Sequence, residues 1–267
     1  MADSQQLLVL ARDVVEKAAA LVAEARAEAL GQVSTKSSPT DPVTAADRAA
    51  ERFVVEALLA ARPDDGVLGE EGGARAGTSG VRWVLDPIDG TVNYLYGIPA
   101  YAVSLAAQVD GETVAGVVRN VATGEEWTAV RGGGAYRDGV RLTGSTETRL
   151  ARTLVGTGFG YDAEMRRHQA RVLLDVIPLV RDIRRGGSAA LDLCAAAEGR
   201  LDAYYERGLS PWDLAAGELV ATEAGLVVTG LRGRPAGEPM TLAAPPAVHG
   251  ELHDLLASLD ADGSASS

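Results

Sequence analysis

The run Trp83-Val84-Leu85-Asp86-Pro87-Ile88-Asp89-Gly90-Thr91-Val92-Asn93 decides how this chain is read. An apolar strand ends in two aspartates three residues apart. Pro87 fixes its own φ and holds Leu85-Asp86 to an extended approach, so the chain turns sharply between the two carboxylates. Two carboxylates and the Ile88 carbonyl aimed at one point suit Mg²⁺, a hard cation that takes oxygen ligands and completes its shell with water and phosphate oxygens. Gly90 and Thr91 follow at the start of a helical turn, where backbone N–H groups and the helix dipole favour a phosphate. An Asp-Gly turn after an edge strand is the plainer reading of Asp-x-x-Asp alone; the full run outweighs it.

Upstream, residues 5–30 place Leu7, Leu10, Val14, Ala18, Leu21 and Ala25 on one stripe at helical spacing, with Gly31 as the stop. Thr44-Ala45-Ala46-Asp47 has capping-box spacing and opens a second helix that closes near Pro63, which gives Asp47 an ordinary role as a helix cap. Beyond Pro63 come short β-rich runs at 67–71, 81–86, 103–110, 114–120, 127–130 and 135–142. Turns such as Asp110-Gly111 and Asp138-Gly139 predict hairpins in an antiparallel sheet.

Downstream the pattern alternates. Strands are expected at 154–157, 183–185, 201–205 and 226–229, and helices at 163–176, 189–198, 212–224 and 247–259. Residues 72–80 and 232–238 read as loops, and the tail after Asp260 as disordered. The chain is expected to divide into an N-terminal α+β half, 1–148, and a C-terminal α/β half, 149–267, that form one catalytic unit.

The 267 residues carry a net charge of -12, with no basic stripe interleaved with aromatics, which disfavours nucleic acid as a partner. An anionic substrate becomes compatible with that charge once a carboxylate cluster collects cations. The single cysteine, Cys194, sits in an apolar stretch and reads as a core residue, which fits a reducing cytoplasm. No export signal opens the chain and no run is apolar for the length of a membrane span, so no membrane association is expected. His168, His249 and His253 lie outside every motif, leaving no candidate for a phosphohistidine.

Glu70-Glu71 after Val67-Leu68-Gly69, and Asp213 after Trp212, are two more acidic points; each alone reads as a solvated pair or a helix N-terminal carboxylate. Taken together, Gly69-Glu70-Glu71, Asp86 through Thr91 with Asn93, and Trp212-Asp213 through Gly225 resemble the inositol monophosphatase family. The resemblance extends to the segment from Lys36 through Asp41 to Asp47, to Gly187-Ser188-Ala189-Ala190, and to Asp202 through Glu206.

That resemblance implies an α+β fold, a layered αβαβα sandwich, usually dimeric, with two to three Mg²⁺ ions and inhibition by Li⁺. Carried over residue by residue, Glu70, Asp86 and the Ile88 carbonyl resemble the ligands of a first metal, and Asp86, Asp89 and Asp213 those of a second. A third ion shares Glu70. Gly90 and Thr91 match the phosphate-binding backbone, and Asp47 the partner of the Thr91 hydroxyl. Glu70 and the Thr91–Asp47 pair are thereby expected to position and deprotonate the attacking water. Glu206 matches the acceptor of ring hydroxyls; Gly187, Ser188 and Ala189 match the wall of the substrate pocket, which Asp213 also borders.

Three positions depart from the commonest family pattern: Tyr94 where phenylalanine is frequent, Ser188 where threonine is usual, and Leu226 where a second glycine is frequent. The first two are read as changes near the pocket, the third as one of helix termination. Lys36, one of two lysines in the chain, is a candidate point charge near metal or phosphate as well as a plain loop lysine. Arg184 and Arg185, just before Gly187, are candidates for contact with substrate or for pairing across a dimer interface, and a structural role is favoured.

The expected substrate is a small phosphate monoester, with myo-inositol 1-phosphate leading. Histidinol phosphate, a 3′-phosphoadenosine nucleotide and fructose 1,6-bisphosphate are alternatives on the same fold. A binding module for a partner such as the transcription machinery is the alternative from another class.

Overall fold

The computed structural model describes residues 3–29, 33–35 and 42–264. Lys36 and Asp41, singled out above, lie outside them. The chain opens with α1 (Ser4–Ala29), a two-stranded ribbon of β1 (Val33–Thr35) and β2 (Pro42–Thr44), and α2 (Ala45–Ala61). Then come β3 (Gly66–Gly69), β4 (Gly73–Arg75), β5 (Val81–Asp89), the short α3 (Thr91–Tyr96), β6 (Ala102–Val109), β7 (Glu112–Asn120), β8 (Glu126–Val130), β9 (Gly134–Arg137) and β10 (Val140–Arg141). The remainder holds β11 (Leu154–Thr157), α4 (Ala163–Val176), β12 (Asp182–Arg184), α5 (Ala189–Ala197), β13 (Ala203–Arg207), α6 (Pro211–Glu223), β14 (Val227–Thr229), β15 (Met240–Ala244) and α7 (Pro246–Ser258).

The strands form one eight-stranded sheet, in the order β10-β9-β8-β7-β6-β5-β3-β4, and one five-stranded sheet, in the order β12-β11-β13-β15-β14. Period-two alternation builds the layers. Trp83 and Leu85 of β5, Val103 and Leu105 of β6, and Val117 of β7 face α1 and α2, where Leu7, Val14, Ala18, Val54 and Leu58 complete a core. Val84, Ala102, Ala106 and Val118 point the other way, onto Ala190 and Cys194 of α5 and Ala216 and Val220 of α6. Those two helices offer Leu193 and Ala221 to Tyr204 and Ala243 of the second sheet. Its outer face, with Ala203, Tyr205, Leu242 and Ala244, packs on Val172 of α4 and Leu252 and Leu256 of α7. Helix, sheet, helix, sheet and helix therefore stack in five layers with four apolar seams, the αβαβα sandwich expected from the sequence.

Residues 73–75 of the expected loop 72–80 form β4, paired antiparallel with β3, and three further readings are corrected. The first sheet is not wholly antiparallel, because β3 runs parallel to β5, Gly69 pairing with Leu85. β15 was unassigned, yet it lies between β13 and β14 and pairs antiparallel with both. The end of the chain is packed as far as 264: Ala261 and Asp262 are buried, and Asp262 pairs with Arg232.

Candidate active site

In a regular strand residues three apart face opposite sides, so Asp86 and Asp89 could not share a ligand. β5 removes that obstacle with a bulge. Asp86 is opposite Ser104 and Asp89 is opposite Ala102, so three residue steps on β5 match two on β6. The bulge contains Pro87, which has no N–H to give to the ladder, and the Ile88 N–H turns to Asp86 Oδ1 at 3.0 Å. Gly90 continues the turn at φ 93, in the left-handed region; a Cβ there would fall 2.9 Å from the Ala100 carbonyl oxygen and 3.1 Å from that of Gly187. No other residue fits.

Parallel pairing places the C-terminal ends of β3 and β5 side by side, so the Glu70 turn arrives next to Asp86. Asp213 comes from the first turn of α6, where its Oδ2 accepts the Ser210 N–H at 2.7 Å in a capping box. Asp47 occupies the same position on α2: Oδ2 accepts the Thr44 N–H at 2.8 Å, while Oδ1 lies 3.2 Å from Thr91 Oγ1. The helix-cap reading and the Thr91 reading of Asp47 are both true, one for each carboxylate oxygen. Thr91 Oγ1 also lies 3.0 Å from the Ile88 carbonyl, so its single proton is shared between two acceptors.

Carboxylate oxygens of Asp86, Asp89 and Asp213 all lie within 4.8 Å of one another. They line, with Glu70, Ile88, Gly90 and Thr91, a cavity of about 370 Å³. At an effective dielectric of about 20, unit charges that close repel by roughly 3 kcal/mol per pair, so full ionisation of the trio would approach the stability of a whole domain. Protons or cations must relieve it. Burial first, then the charges of Glu70, Asp89 and Asp213, hold the Asp86 carboxyl well above its ordinary range. Asp213 is raised in the same way by burial, Asp89 and Glu70. Asp89 is raised by burial, against the hydrogen bonds it accepts and the Arg185 guanidinium. Oxygen-only donors, two of which, Asp86 and Asp213, have other carboxylates as their strongest charged neighbours, fit a hard divalent cation.

An adjoining cavity of about 240 Å³ shares Asp89, Gly90 and Asp213 and extends to Gly187, Ala189, Arg185 and Glu206. Tyr204 donates its hydroxyl to Glu206. Burial raises Glu206 to about 7, Tyr204 and Arg185 working against that rise.

Two predicted site residues line neither cavity: Asp47, which reaches the site through Thr91, and Ser188, which was expected in the pocket wall. Ser188 is buried at the N-cap of α5, where Oγ accepts the Leu191 N–H at 3.3 Å and donates to Asp89 Oδ2 at 2.6 Å. The Ala190 N–H reaches the same oxygen at 2.7 Å, so Asp89 docks on the start of α5. The Ser188 hydroxyl is thus turned toward a candidate ligand rather than toward substrate. Tyr94 also departs from its expected place: it is buried against α1, its hydroxyl donating to the Val22 carbonyl and its ring packed edge-on to Tyr101.

Two residues given no role by sequence reasoning support the pocket. Asn93 Nδ2 donates to the Ala100 carbonyl at 2.7 Å and to the Gly186 carbonyl at 2.8 Å, tying the α3 turn to the opposite wall. Asp192 is pushed up to about 8 by burial, then Glu206 and Asp89, and accepts the Gly187 N–H. An acid inside the apolar run of α5 was the signal available in the sequence. The histidines lie elsewhere, bonded to Asp260, Thr229 and Arg232.

Comparison with known proteins agrees with this geometry. The profile of the inositol monophosphatase family matches residues 3–261. The inositol-1-monophosphatase SuhB of Mycobacterium tuberculosis is 48% identical across 95% of this chain and 93% of its own length. A Salmonella typhimurium protein named Nus factor SuhB is 41% identical across 76% of each chain. The solved extragenic suppressor protein suhB from Bartonella henselae superposes with a TM-score of 0.89 at 36% identity, covering 94% of this chain and 98% of that one. With its five layers, its carboxylate trio and a match over nearly its whole length, the chain belongs to the inositol monophosphatase family and is a phosphoric monoester hydrolase.

Proposed function

We propose that the protein hydrolyses a compact polyol monophosphate, with myo-inositol 1-phosphate as leading substrate, using two to three Mg²⁺ ions. The observation that carries this reading is the meeting of Asp86, Asp89 and Asp213 with the Gly90-Thr91 turn in one cavity. In this assignment Glu70, Asp86 and the Ile88 carbonyl hold one ion, Asp86, Asp89 and Asp213 a second, and Glu70 shares in a third. When bound, the ions supply the positive charge that acidifies a water and steadies the departing alkoxide.

The chain's own groups do the rest. The N–H groups of Gly90 and Thr91, which open α3 and lack intrahelical acceptors, receive the phosphate oxygens. The Thr91 hydroxyl points its proton at Asp47 and Ile88, leaving its lone pairs to orient the attacking water, and Glu70 across the cavity accepts the proton that water gives up. Glu206 accepts hydrogen bonds from ring hydroxyls, and Gly187 and Ala189 bound the ring. A polar acceptor there discriminates against apolar alcohols. Glu206→Gln is expected to reorder preference among polyol phosphates, measured as kcat/KM ratios; an unchanged order removes Glu206 from this role.

In the same reading the halves 1–148 and 149–267 act as one unit, supported by α5 and α6 lying between the two sheets. The enzyme is a Li⁺-sensitive cytoplasmic homodimer; family membership supports this, and the exposed apolar side chains of Tyr96 and Ile98 support the homodimer alone. No helix among the described residues is long and apolar enough to cross a membrane.

The test is phosphate release by the purified protein with Mg²⁺ from a panel of inositol, histidinol, sugar and nucleotide monophosphates. Fastest turnover of inositol 1-phosphate is expected. A second reading, a contact role in transcription, is favoured by the Nus factor name of the Salmonella relative. Release from no member of the panel overturns the first reading and leaves the second.

A further inference from the structure

Glu51 lies on α2, one helical turn beyond Asp47, and is 5% exposed. Among the described residues its carboxylate forms no ion pair with an arginine. Oε2 accepts the Glu71 N–H at 2.9 Å and Oε1 accepts the Gly72 N–H, so both oxygens bond the backbone of the turn that carries Glu70. The turn is shaped around this carboxylate: a Cβ on Gly69 would fall 2.6 Å from Glu51 Cδ and Oε2, and one on Gly72 would fall closer still to Oε1. Two glycines flanking Glu70-Glu71 therefore leave the space that Glu51 fills.

Spacing four on a helix puts Asp47 and Glu51 on one face, about 6 Å apart along the axis. Asp47 reaches Thr91, and Glu51 reaches the Glu70 turn. One rigid helix thus sets two pieces of the site that come from different strands.

We propose that Glu51 is a positioning residue for Glu70. By gripping both N–H groups of the β3–β4 turn it fixes where the Glu70 carboxylate enters the cavity and how that carboxylate stands to the Thr91–Asp47 pair. The proposal rests on the assignment of Glu70 to metal and water. Partners that orient a ligand from behind typically contribute 10- to 100-fold to metal affinity or activity. Glu51 also borders an open cavity of about 390 Å³ with Arg48 and Arg52, so in a truncated variant water can satisfy the two N–H groups. The loss then falls on placement more than on folding.

The experiment compares full-length wild type, Glu51→Ala, Glu51→Gln, Gly72→Ala and Glu70→Gln by calorimetric titration of the metal-stripped proteins with Mn²⁺, alongside kcat, KM and Tm. Glu51→Ala is expected to bind Mn²⁺ at least 10-fold more weakly and to lose kcat at subsaturating Mg²⁺, with KM for substrate within twofold of wild type. Glu51→Gln keeps one carbonyl acceptor and should recover most of both, while Gly72→Ala, which drives a methyl into the carboxylate, should reproduce the loss and serves if Glu51→Ala does not fold. Wild-type Mn²⁺ affinity in Glu51→Ala, or a fall in Tm with no change in affinity, overturns the positioning role while Glu70→Gln is impaired. Wild-type behaviour in Glu70→Gln itself overturns the underlying assignment, and this proposal with it.

Discussion

Glu125, Glu126 and Glu198 gather beside the outer strands of the first sheet, much as Asp86, Asp89 and Asp213 gather at the site, but their surroundings differ. Arg137 and Arg200 each pair with both Glu125 and Glu198, and Arg12 and Arg119 pair with Glu126. Arg200 is the first cause of the lowered pKa of Glu125. At the aspartate trio the direction is reversed, because the strongest charged neighbours of Asp86 and Asp213 are carboxylates. Both groups are acidic and sheltered. Only one has its charge answered by the chain itself, and that contrast, rather than acidity, separates a structural ion network from a cation site.

The sharpest way to break the contrast is to remove charge from each side. Asp89→Asn is expected to lower turnover by on the order of 10²-fold or more with the fold intact, since it removes a candidate cation ligand rather than a core contact. Steady-state phosphate release with circular dichroism checks both parts; near wild-type turnover would contradict the assignment.

Ser188→Ala probes the same carboxylate from behind. Loss of its hydrogen bond to Asp89 should raise the Mg²⁺ concentration for half-maximal activity about 10-fold, with substrate selectivity retained. A changed selectivity with unchanged Mg²⁺ demand would return Ser188 to the pocket wall.

Asp65 extends the paired side of the comparison. It is buried and accepts from Arg62, from Ser79 Oγ at 2.6 Å and from Trp83 Nε1 at 2.9 Å. Burial raises its pKa, but those bonds outweigh burial and leave it lowered. A lowered folded pKa means that its stabilisation is present above the unfolded carboxylate value, roughly 4, and is lost as pH falls through the folded value. Asp65→Asn should cost about 2 kcal/mol at neutral pH and flatten the acid limb of the stability curve, as followed by urea unfolding. An unchanged acid limb refutes the assignment.

Glu198→Gln should have the smallest effect. Its arginine partners are partly exposed, so a loss of about 1 kcal/mol and a few degrees in Tm is expected, with wild-type kcat. Loss of activity there would erase the distinction between the two clusters.

Much of the layering was legible from periodicity. α1 shows a helical stripe, and its Leu7, Val14 and Ala18 fill the first seam. β15 escaped because all five residues are buried, Met240-Thr-Leu-Ala-Ala244, and such a run shows no alternation and little β-branching. The parallel β3–β5 pairing escaped because partner choice between distant strands leaves no local mark. At the site, the residue types were legible, but not their supports: Asn93, Asp192 and Glu51 act through contacts far along the chain.

By itself the sequence determined the donors and the local turns: a proline where a bulge forms, a glycine where φ is positive, and capping boxes that direct Asp47 and Asp213. These follow from steric and hydrogen-bonding rules acting over a few residues. Only the tertiary structure decided that the bulge brings Asp86 and Asp89 to one side, that parallel pairing delivers Glu70 beside them, and that α6 adds Asp213 from the layer between the sheets. The reason is physical: burying four apolar seams stabilises the fold enough to hold like charges together, an arrangement that no short segment can sustain.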